Sequence, residues 1–587
     1  MDKKIRTLYS VDSEDLVGSP VKRFFRLIDK EKKDVLLIYF FSIFSGVIAL
    51  TLPLGVQAII NITLGSSKLT ASWYILIFIV IIGVTLSGFI QVIQLSISEK
   101  IQQRIFARAS FEFVFRIPRM KLEALTKYYS PELVNRFFDV LTVQKGLSKI
   151  LMDFSSNILS IFFGLILLSF YDSSFVFFGV FILLTLGIIL NYTGQKGLKT
   201  SIAESKYKYE TAHWLQEVAR AMSVYKLAGY TSIPMDRTDH LVTKYVDTRR
   251  KHFSVLIGQY FSIITFKTVI SSGLLILGSI LLINQKINIG QFVASEIVIL
   301  SIVSSVEKLV LSLETIYDVL TGIEKMGNVT DLPIETEQGV NFEQIDTGKG
   351  IKIEVKNLSY RFAGAERDSL TDISFTLQPG EKVCVAGYNS SGKSTLLNII
   401  STLFHDYTGS IMYNDYSLRN INLMSLRNFA GESLSNKELV NGSIEDNISM
   451  GRDDITFTDV KRAASYVGLD DYVQKLPIGY NTVIVPGDMT VPRSVVNKIA
   501  LARSIAENPR IFLLDEVFLN MQRDEKDKVI DFFTDPNKPW TMLAASSDAR
   551  FASKCDKVII LNNGRIQDIG TFVDIAQKPY FDNIFLM

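Results

Sequence analysis

The sequence predicts an α-helical membrane domain with six transmembrane helices, followed by an α/β domain built around a phosphate-binding loop. Three observations support this fold class. Long apolar segments dominate the chain before residue 320, and the whole chain has 48% hydrophobic residues with a mean hydropathy of +0.24. After a polar stretch, short β-branched runs alternate with helical runs, which is typical of α/β domains. In that second half, residues 387–394 have the pattern G-x-x-x-x-G-K-S, which is typical of a loop that cradles phosphates.

Composition and charge exclude several classes of protein. The net charge is only +2, so no electrostatic footprint for nucleic acid is expected. Cys384 and Cys555 lie far apart, which argues against a disulfide framework and against a cysteine metal site. The first residues are charged and lack an apolar core, so no cleavable signal peptide is expected. We predict a cytoplasmic leader at 1–34, a transmembrane domain at 35–330, a linker at 331–350 and a nucleotide-binding domain at 351–587.

Six apolar segments before residue 320 are near or above the roughly 20 residues that a spanning helix needs. Two long joins between them are rich in lysine and arginine, and the other joins are short. The positive-inside rule then puts the leader, the long joins and the C-terminal half in the cytoplasm. We therefore predict a multi-pass protein of a bacterial inner (plasma) membrane. The predicted spans are Val35–Ile60, Ser72–Ile97, Leu151–Tyr171, Ser174–Tyr192, Val255–Ile283 and Ile289–Leu311.

The long joins have helical periodicity and are expected to continue the spanning helices into the cytoplasm. Their tips, near 129–138 and 227–234, are where we expect the membrane domain to contact a cytosolic domain. Charges inside a span usually face a cavity or a partner, so Lys267 and Glu296 are candidates for a lining or pairing role. Glu307 is expected on a cytosolic extension of the sixth helix, with Lys308 beside it.

The phosphate-binding loop is predicted to follow a strand at 382–386 and to open a helix at 395–400. Its glycines let the backbone close around an anion, and the N–H groups at the helix start point at that anion. Lys393 is expected to reach the β- and γ-phosphates, and the Ser394 hydroxyl to hold Mg²⁺. The predicted nucleotide-binding residues of the loop are Gly387, Tyr388, Asn389, Ser390, Ser391, Gly392, Lys393, Ser394 and Thr395.

A second acidic element follows further along the chain, where four apolar residues at 511–514 precede Asp515 and Glu516. In phosphate-loop ATPases, an acid at the end of such a buried strand holds Mg²⁺, and the next acid lies beside the attacking water. We therefore assign Asp515 to the metal and Glu516 to catalysis. These elements leave open whether the site hydrolyses ATP or only binds it.

With these two elements behind six spans, the chain resembles the ABC transporter family, specifically an exporter half-transporter, over nearly its whole length. The resemblance implies a homodimer or a heterodimer with a second half-transporter, with ATP and Mg²⁺ held between paired nucleotide-binding domains. It also implies that the tips near 129–138 and 227–234 act as coupling helices, and that Phe362 stacks on adenine. A fainter similarity to exporters of the protein- and peptide-secretion type implies peptide-like cargo and an adaptor that crosses the periplasm.

Several positions depart from the family pattern. Ser435 stands where the family has the Q-loop glutamine, and the run 491–495 replaces the signature L-S-G-G-Q. Gln522 replaces the D-loop aspartate, Ser547 the switch histidine, and Ser390 the middle glycine of the phosphate loop. These departures predict a degenerate nucleotide site whose hydrolysis is impaired and depends on the partner. Simple divergence, with function kept by other residues, is the alternative.

The sequence thus favours an ATP-binding subunit of an ABC exporter, in which the nucleotide drives transport across the membrane. A membrane protein that senses ATP, or that acts as a scaffold and does not pump, is the alternative of a different class.

Overall fold

The computed structural model describes residues 19–65, 71–127, 130–434, 438–487, 490–518 and 521–585. The chain divides into two compact units. The first, which we call the membrane unit, comprises residues 1–118 and 128–332. The second, the nucleotide unit, comprises residues 119–127 and 333–587. A short stretch from the N-terminal half therefore belongs to the nucleotide unit.

Among the described residues, six helical segments are long and apolar enough to cross a membrane, which confirms the predicted six-span membrane domain. The fifth of these helices has 51 residues, or about 77 Å at 1.5 Å per residue, against a hydrocarbon core of about 30 Å. The long joins are therefore helical extensions, as predicted. The helices of this unit are α1 (Pro20–Lys30), α2 (Lys32–Ala49), α3 (Thr51–Gly65), α4 (Ala71–Arg116), α5 (Ser130–Asn135), α6 (Asp139–Ser169), α7 (Ser174–Arg220), α8 (Met222–Leu227), α9 (Ile233–Ile283) and α10 (Ile289–Thr330).

The first span is interrupted at Leu50, between α2 and α3, which the apolar pattern did not predict. Pro53 explains the interruption, because proline has no N–H to donate to the carbonyl of Ala49 one turn earlier. In the same turn the Thr51 hydroxyl donates to the carbonyl of Ile48 at 2.7 Å.

The sixth helix, α10, forms the centre of the membrane unit. Half of its most apolar stretch is buried, against 11% for that of α4. The outer helices are tied by buried polar contacts: Gln94 Nε2 donates to Ser42 Oγ at 2.7 Å, and that hydroxyl donates to Ser155 Oγ at 2.8 Å. An ion pair joins Lys267 of α9 to Glu307 of α10. This pairing confirms a partner for Lys267 and identifies it as Glu307.

The nucleotide unit contains two main sheets. An antiparallel sheet has the strand order β2-β1-β4-β5, and a larger, mostly parallel sheet has the order β12-β11-β3-β10-β9-β6. The strands are β1 (Ile353–Tyr360), β2 (Leu370–Leu377), β3 (Lys382–Gly387), β4 (Thr408–Tyr413), β5 (Tyr416–Ser417), β6 (Ala430–Ser433), β7 (Gly442–Ser443), β8 (Val483–Ile484), β9 (Ile511–Asp515), β10 (Thr541–Ala545), β11 (Lys557–Asn562) and β12 (Arg565–Gly570). The helices are α11 (Lys393–Ile400), α12 (Leu423–Arg427), α13 (Ile444–Ser449), α14 (Phe457–Tyr466), α15 (Asp470–Val473), α16 (Arg493–Ala506), α17 (Arg523–Thr534), α18 (Ala549–Ser553), α19 (Phe572–Ala576) and α20 (Phe581–Ile584). This α/β sheet confirms the predicted class of the second half.

The first long join contains a segment that belongs to the nucleotide unit, residues 119–127, which the sequence did not single out. Residues 130–138 belong to the membrane unit, and Tyr129 lies outside the described residues. Local backbone pairing holds the segment in the nucleotide unit, because Met120 forms a β-bridge with Ile334. In addition, the N–H of Glu335 donates to the carbonyl of Arg119 at 2.7 Å.

Candidate nucleotide-binding site

The phosphate loop lies between β3 and α11, as the sequence predicts. Gly387 has φ +153°, and a Cβ there would lie 2.1 Å from the carbonyl oxygen of Leu561 on the neighbouring strand. Gly392 caps α11 with φ +103°, and a Cβ there would lie 2.9 Å from the carbonyl oxygen of Ser369. Both positions therefore need glycine, and the loop can approach a ligand with bare backbone.

The side chains of the loop divide between the surface and the interior. Lys393 folds over the loop, and its Nζ donates to the carbonyl oxygens of Gly387 and Tyr388 at 2.9 and 3.1 Å. Ser391 is buried, and its carbonyl accepts from the N–H of Gly564 at 3.1 Å. Tyr388, Asn389, Ser390 and Ser394 are exposed, and Thr395 is half-buried. The exposed set forms the outer rim of the loop.

Ser390 adopts φ +61°, a left-handed conformation that a side chain disfavours. The sequence comparison with the family pattern anticipated strain at this position, because glycine is usual there. A non-glycine residue in this region costs on the order of 1–3 kcal/mol. The loop therefore stores conformational energy at a residue that faces solvent.

The two acids lie at the same edge of the sheet as the loop. Ala545 at the end of β10 pairs with Val385 of β3 on one side and with Asp515 of β9 on the other. Since neighbouring strands lie about 4.8 Å apart, the backbone of Asp515 is about 10 Å from β3. Asp515 is buried, and Glu516 follows with φ +47°, its N–H donating to the carbonyl of Ala545 at 3.0 Å.

Electrostatics at this edge follow from burial. Burial raises the pKa of the Cys384 thiol in β3, and the nearby Glu516 carboxylate adds to the increase. Burial would also raise the pKa of Asp548, which follows β10. Hydrogen bonds from Lys526 Nζ at 2.6 Å and from the N–H of Phe551 at 2.9 Å lower it instead. The Asp548 carboxylate therefore stays ionised close to the strand end, a feature that the sequence analysis did not single out.

Phe362 belongs to an aromatic cluster outside the loop. Its ring meets Tyr360 edge-on at 5.0 Å and Phe404 edge-on at 5.6 Å, and Tyr360 stacks on Phe404. Phe362 is only half-buried. The cluster fixes one side of the ring, and the remaining exposed area is available for stacking.

The structure describes most of the positions that depart from the family pattern. Pro492 stands at the N-cap of α16 without a side-chain cap, and Arg493 is exposed in the first turn. Gln522 stands at the N-cap of α17, and Ser547 is half-buried after β10. Ser435 lies outside the described residues.

Sequence reasoning missed the contribution of Glu123 to this unit. Its carboxylate accepts from the backbone N–H of His405, and from that of Asp406 at 3.3 Å. Burial would raise the pKa of Glu123, but its hydrogen bonds with His405 lower it to about 2. Phe404, which contacts Phe362, directly precedes His405, so Glu123 is linked to the aromatic cluster through the backbone at 404–405. Pro118, which ends the long helix before this segment, was the one available signal.

Comparisons with known proteins assign the family. Residues 35–306 match the family model described as the ABC transporter transmembrane region, and residues 370–519 match the model described as ABC transporter. The chain belongs to the ABC transporter family. Its order, six spans followed by one nucleotide-binding domain, is that of an exporter half-transporter. The second model implies that this ABC half-transporter binds nucleotide through its C-terminal half.

Two relatives illustrate the range of similarity. The alpha-hemolysin translocation ATP-binding protein of Escherichia coli O157:H7 is 26% identical over 302 residues, which are 51% of this half-transporter and 42% of that protein. The match thus spans less than half of that relative. An ATP-dependent lipid A-core flippase of Legionella pneumophila strain Paris is 24% identical over 510 residues, which are 85% of this chain and 84% of that protein.

A solved structure, that of a bacterial Atm1-family ABC exporter with ATP bound, matches with a TM-score of 0.81 at 16% identity. The match covers 94% of this half-transporter and 97% of that chain. At this identity the likeness shows the fold.

Proposed function

We propose that this half-transporter is the ATP-binding subunit of an exporter that moves cargo across a bacterial inner membrane, with its nucleotide unit in the cytoplasm. The observation that carries the proposal is the register across three strands. It brings the phosphate loop and the Asp515–Glu516 pair to one sheet edge, in a chain with six candidate spans. Transport in this family depends on nucleotide binding, so this edge is the expected centre of the activity.

The loop residues from Gly387 to Thr395 hold the phosphates in this proposal, and Phe362 stacks on adenine. The bare backbone at the two glycines fits a phosphate, because N–H groups at a helix start attract anions. Lys393 already lies over the loop, and a phosphate would replace the two carbonyls as the partner of its ammonium group. Glu516 is the catalytic carboxylate, which orients the attacking water and accepts its proton.

Mg²⁺ is the metal that fits the available ligands. The Ser394 hydroxyl is exposed at the start of α11, and the Asp515 carboxylate ends a buried strand at the same sheet edge. Hydroxyl and carboxylate oxygens are the ligands that Mg²⁺ takes beside phosphate. When bound, Mg²⁺ supplies charge neutralisation for the phosphates.

We propose that hydrolysis by this chain alone is very slow. A glycine-rich signature offers free backbone N–H groups to the γ-phosphate of ATP on the partner, and Pro492 has no N–H to offer. The exposed Arg493 can attract a phosphate as a charge, but it does not replace the signature. At the switch position, Ser547 has no imidazole. The site that combines this chain's Lys393 with an intact partner's signature would therefore be the active one.

A second half-transporter is the proposed partner, and we favour a heterodimer. The tip between α8 and α9 supports a partner, because its large apolar residues face solvent. Leu227 is 89% exposed, Met235 is 72% exposed, and Tyr230 is fully exposed. Such a cluster at the end of long helices is typical of a surface that another protein covers.

The similarity to the alpha-hemolysin translocation protein supports a peptide-like cargo, and with it an adaptor that crosses the periplasm. The similarity to the lipid A-core flippase would instead favour a lipid-linked cargo. Transport of a labelled peptide and of a labelled lipid into inverted vesicles separates these two classes.

The test of the central proposal uses the purified chain in lipid nanodiscs. A fluorescent ATP analogue should bind with Mg²⁺, and Lys393→Ala should abolish this binding. ATP hydrolysis by the chain alone should be close to background and should rise when an intact half-transporter is added. Hydrolysis by the chain alone at rates typical of the family, lost in Glu516→Gln, would refute the degenerate site. Binding without any transport in partner-containing vesicles would favour the sensing or scaffolding alternative.

A further inference from the structure

A cavity of the nucleotide unit lies apart from the phosphate loop. It encloses about 240 Å³ and is lined by Lys121 and by residues from 335–338, 402–407 and 418–423. We call it the linker pocket, because the predicted linker forms one of its sides. Thr402 of this pocket follows the C-terminal end of α11, whereas Lys393 begins that helix, about 12 Å away along its axis. The linker pocket is therefore distinct from the phosphate loop.

Backbone hydrogen bonds hold the sides of the linker pocket in place. On one side of the linker, the N–H of Lys121 donates to the carbonyl of Pro333 at 3.0 Å. On the other, the N–H of Val340 donates to the carbonyl of Asn420 at 2.8 Å, and the N–H of Asn422 donates to the carbonyl of Val340 at 2.9 Å. Because its sides are joined in this way, the pocket is preformed, as small-molecule sites usually are.

Two cations of the linker pocket have no acidic partner. Across the described ranges, neither the Lys121 ammonium nor the Arg419 guanidinium has a carboxylate within ion-pair distance. Arg419 lies over the Tyr407 ring, 5.5 Å from its centroid, and donates to the Tyr407 carbonyl at 3.2 Å. Among the described lining residues the one acid is Glu335, which accepts two hydrogen bonds from Arg427, at 2.6 and 2.8 Å. The lining therefore has an excess of positive charge.

Other negative groups around the pocket already have donors. The Glu123 carboxylate accepts from the backbone N–H of His405. The His405 ring lies between Glu123 and Glu335, with one ring nitrogen 3.7 Å from each carboxylate. The carbonyl of Thr402, after the end of α11, accepts from Arg427 Nη2 at 2.9 Å. An anion that enters the pocket therefore meets Lys121 and Arg419 as its available partners.

The rest of the lining is largely apolar. Leu418 and Ile421 are buried, and Phe404 and Tyr407 add two aromatic rings. The cavity is smaller than the roughly 300–1,000 Å³ of sites for drug-sized ligands, so it fits a small molecule. Its chemistry combines an apolar surface with two positive charges, which suits a ligand that has an apolar body and an anionic group.

We propose that the linker pocket binds a small phosphate monoester whose alcohol carries an apolar ring. The phosphate contacts Lys121 and Arg419, and the ring covers the apolar surface beside Phe404 and Tyr407. A phosphate monoester carries about 1.5 to 2 negative charges at pH 7, which matches two cations, whereas one carboxylate leaves a cation unmatched. Inorganic phosphate would leave the apolar surface in contact with water.

The test uses phenyl phosphate as the probe and the full chain with Lys393→Ala in nanodiscs, because this variant disables the phosphate loop. Isothermal titration calorimetry should detect binding of phenyl phosphate. Adding Lys121→Gln and Arg419→Gln should weaken this binding about twentyfold, since each partly exposed ion pair contributes up to about a factor of five. The matched control, Lys475→Gln with Arg523→Gln, removes the same charges from exposed positions outside the pocket and should change the affinity less than about twofold.

Two further probes test the two halves of the ligand. Inorganic phosphate should bind about tenfold more weakly than phenyl phosphate, because it leaves the apolar surface uncovered. Benzyl alcohol, which has the ring and no charge, should not compete at concentrations at which phenyl phosphate saturates the pocket.

Three results would overturn the proposal. Phenyl phosphate fails to bind, inorganic phosphate binds as tightly as phenyl phosphate, or the pocket variant and its control lose affinity equally, which indicates general attraction to the surface. All variants should keep the thermal transition of the Lys393→Ala chain. If the triple variant does not, Lys121→Gln in the same background serves instead, with an expected loss of about fivefold.

Discussion

Replacing Gly387 by alanine should destabilise the nucleotide unit well beyond the usual effect of a lost glycine. Its φ of +153° is a conformation in which a side chain is disfavoured by about 1–3 kcal/mol. In addition, the new Cβ would lie 2.1 Å from the carbonyl oxygen of Leu561, which pairs with Gly387 in the sheet. Neither strand can move away freely, and such overpacking costs about 1–3 kcal/mol more. The expected loss is therefore about 4 kcal/mol.

Gly364→Ala is the matched control. Gly364 has φ +83°, but its Cβ would have no neighbour within 4 Å, so this variant measures the conformational cost alone, about 1–2 kcal/mol. In a unit of this size 1 kcal/mol shifts Tm by roughly 2–4 °C. Calorimetry of the full chain in nanodiscs, following the transition that ATP raises, should show a fall of about 8–16 °C for Gly387→Ala. The control should fall by about 2–8 °C. Equal shifts in the two variants would refute the collision with Leu561.

Three other changes test the electrostatics of the nucleotide unit. Burial raises the pKa of Glu432 to about 7, so its native form holds the proton more tightly, and stability falls as pH rises from about 4.5 through 7. Glu432→Gln should therefore raise the free energy of unfolding by on the order of 3 kcal/mol at pH 8 and change it little at pH 5. Urea unfolding measures this difference. Lys382→Met should lower the free energy of unfolding by about 3 kcal/mol in the same assay. The Lys382 ammonium donates to the carbonyls of Trp540, Gly380 and Lys538 at 2.7, 2.8 and 3.1 Å, and the variant leaves all three without this donor. Glu123 has a pKa of about 2, so its ionised form stabilises the unit fully above pH 4.5 and the stabilisation is lost as pH falls towards 2. Glu123→Ala should therefore lower the free energy of unfolding by about 3 kcal/mol at pH 7, and the difference from the wild type should vanish near pH 2.

The parts of the fold that the sequence predicted are those with a local signature. An apolar run near 20 residues long can hardly be anything but a span, and the phosphate loop has its glycines at fixed spacing. Asp515 could be placed at the loop edge because parallel strands bring their carboxyl ends together. The backbone strain at Ser390 was also predictable, because the family pattern has glycine at that position and glycine adopts a positive φ without strain.

The parts that could not be predicted depend on long-range register. The sequence identified Lys267 and Glu307 as charges in or beside spans. Their ion pair depends on the position of α9 along α10, which the composition of the two helices does not determine. Glu123 meets the backbone of His405, 282 positions away along the chain. Such a contact is fixed by tertiary packing, so the sequence did not show that residues 119–127 belong to the nucleotide unit.

The backbone pairing of 119–127 with 333–335 has a practical consequence for anyone who exchanges parts between exporters. The nucleotide unit is discontinuous in the chain. A cut at the start of β1 would therefore remove both partners of its β-bridge, Met120 and Ile334. Without residues 119–127, the N–H groups of His405 and Asp406 would also lose the Glu123 carboxylate that accepts from them. A chimera should therefore carry residues 119–127 along with 333–587, as two grafts that travel together.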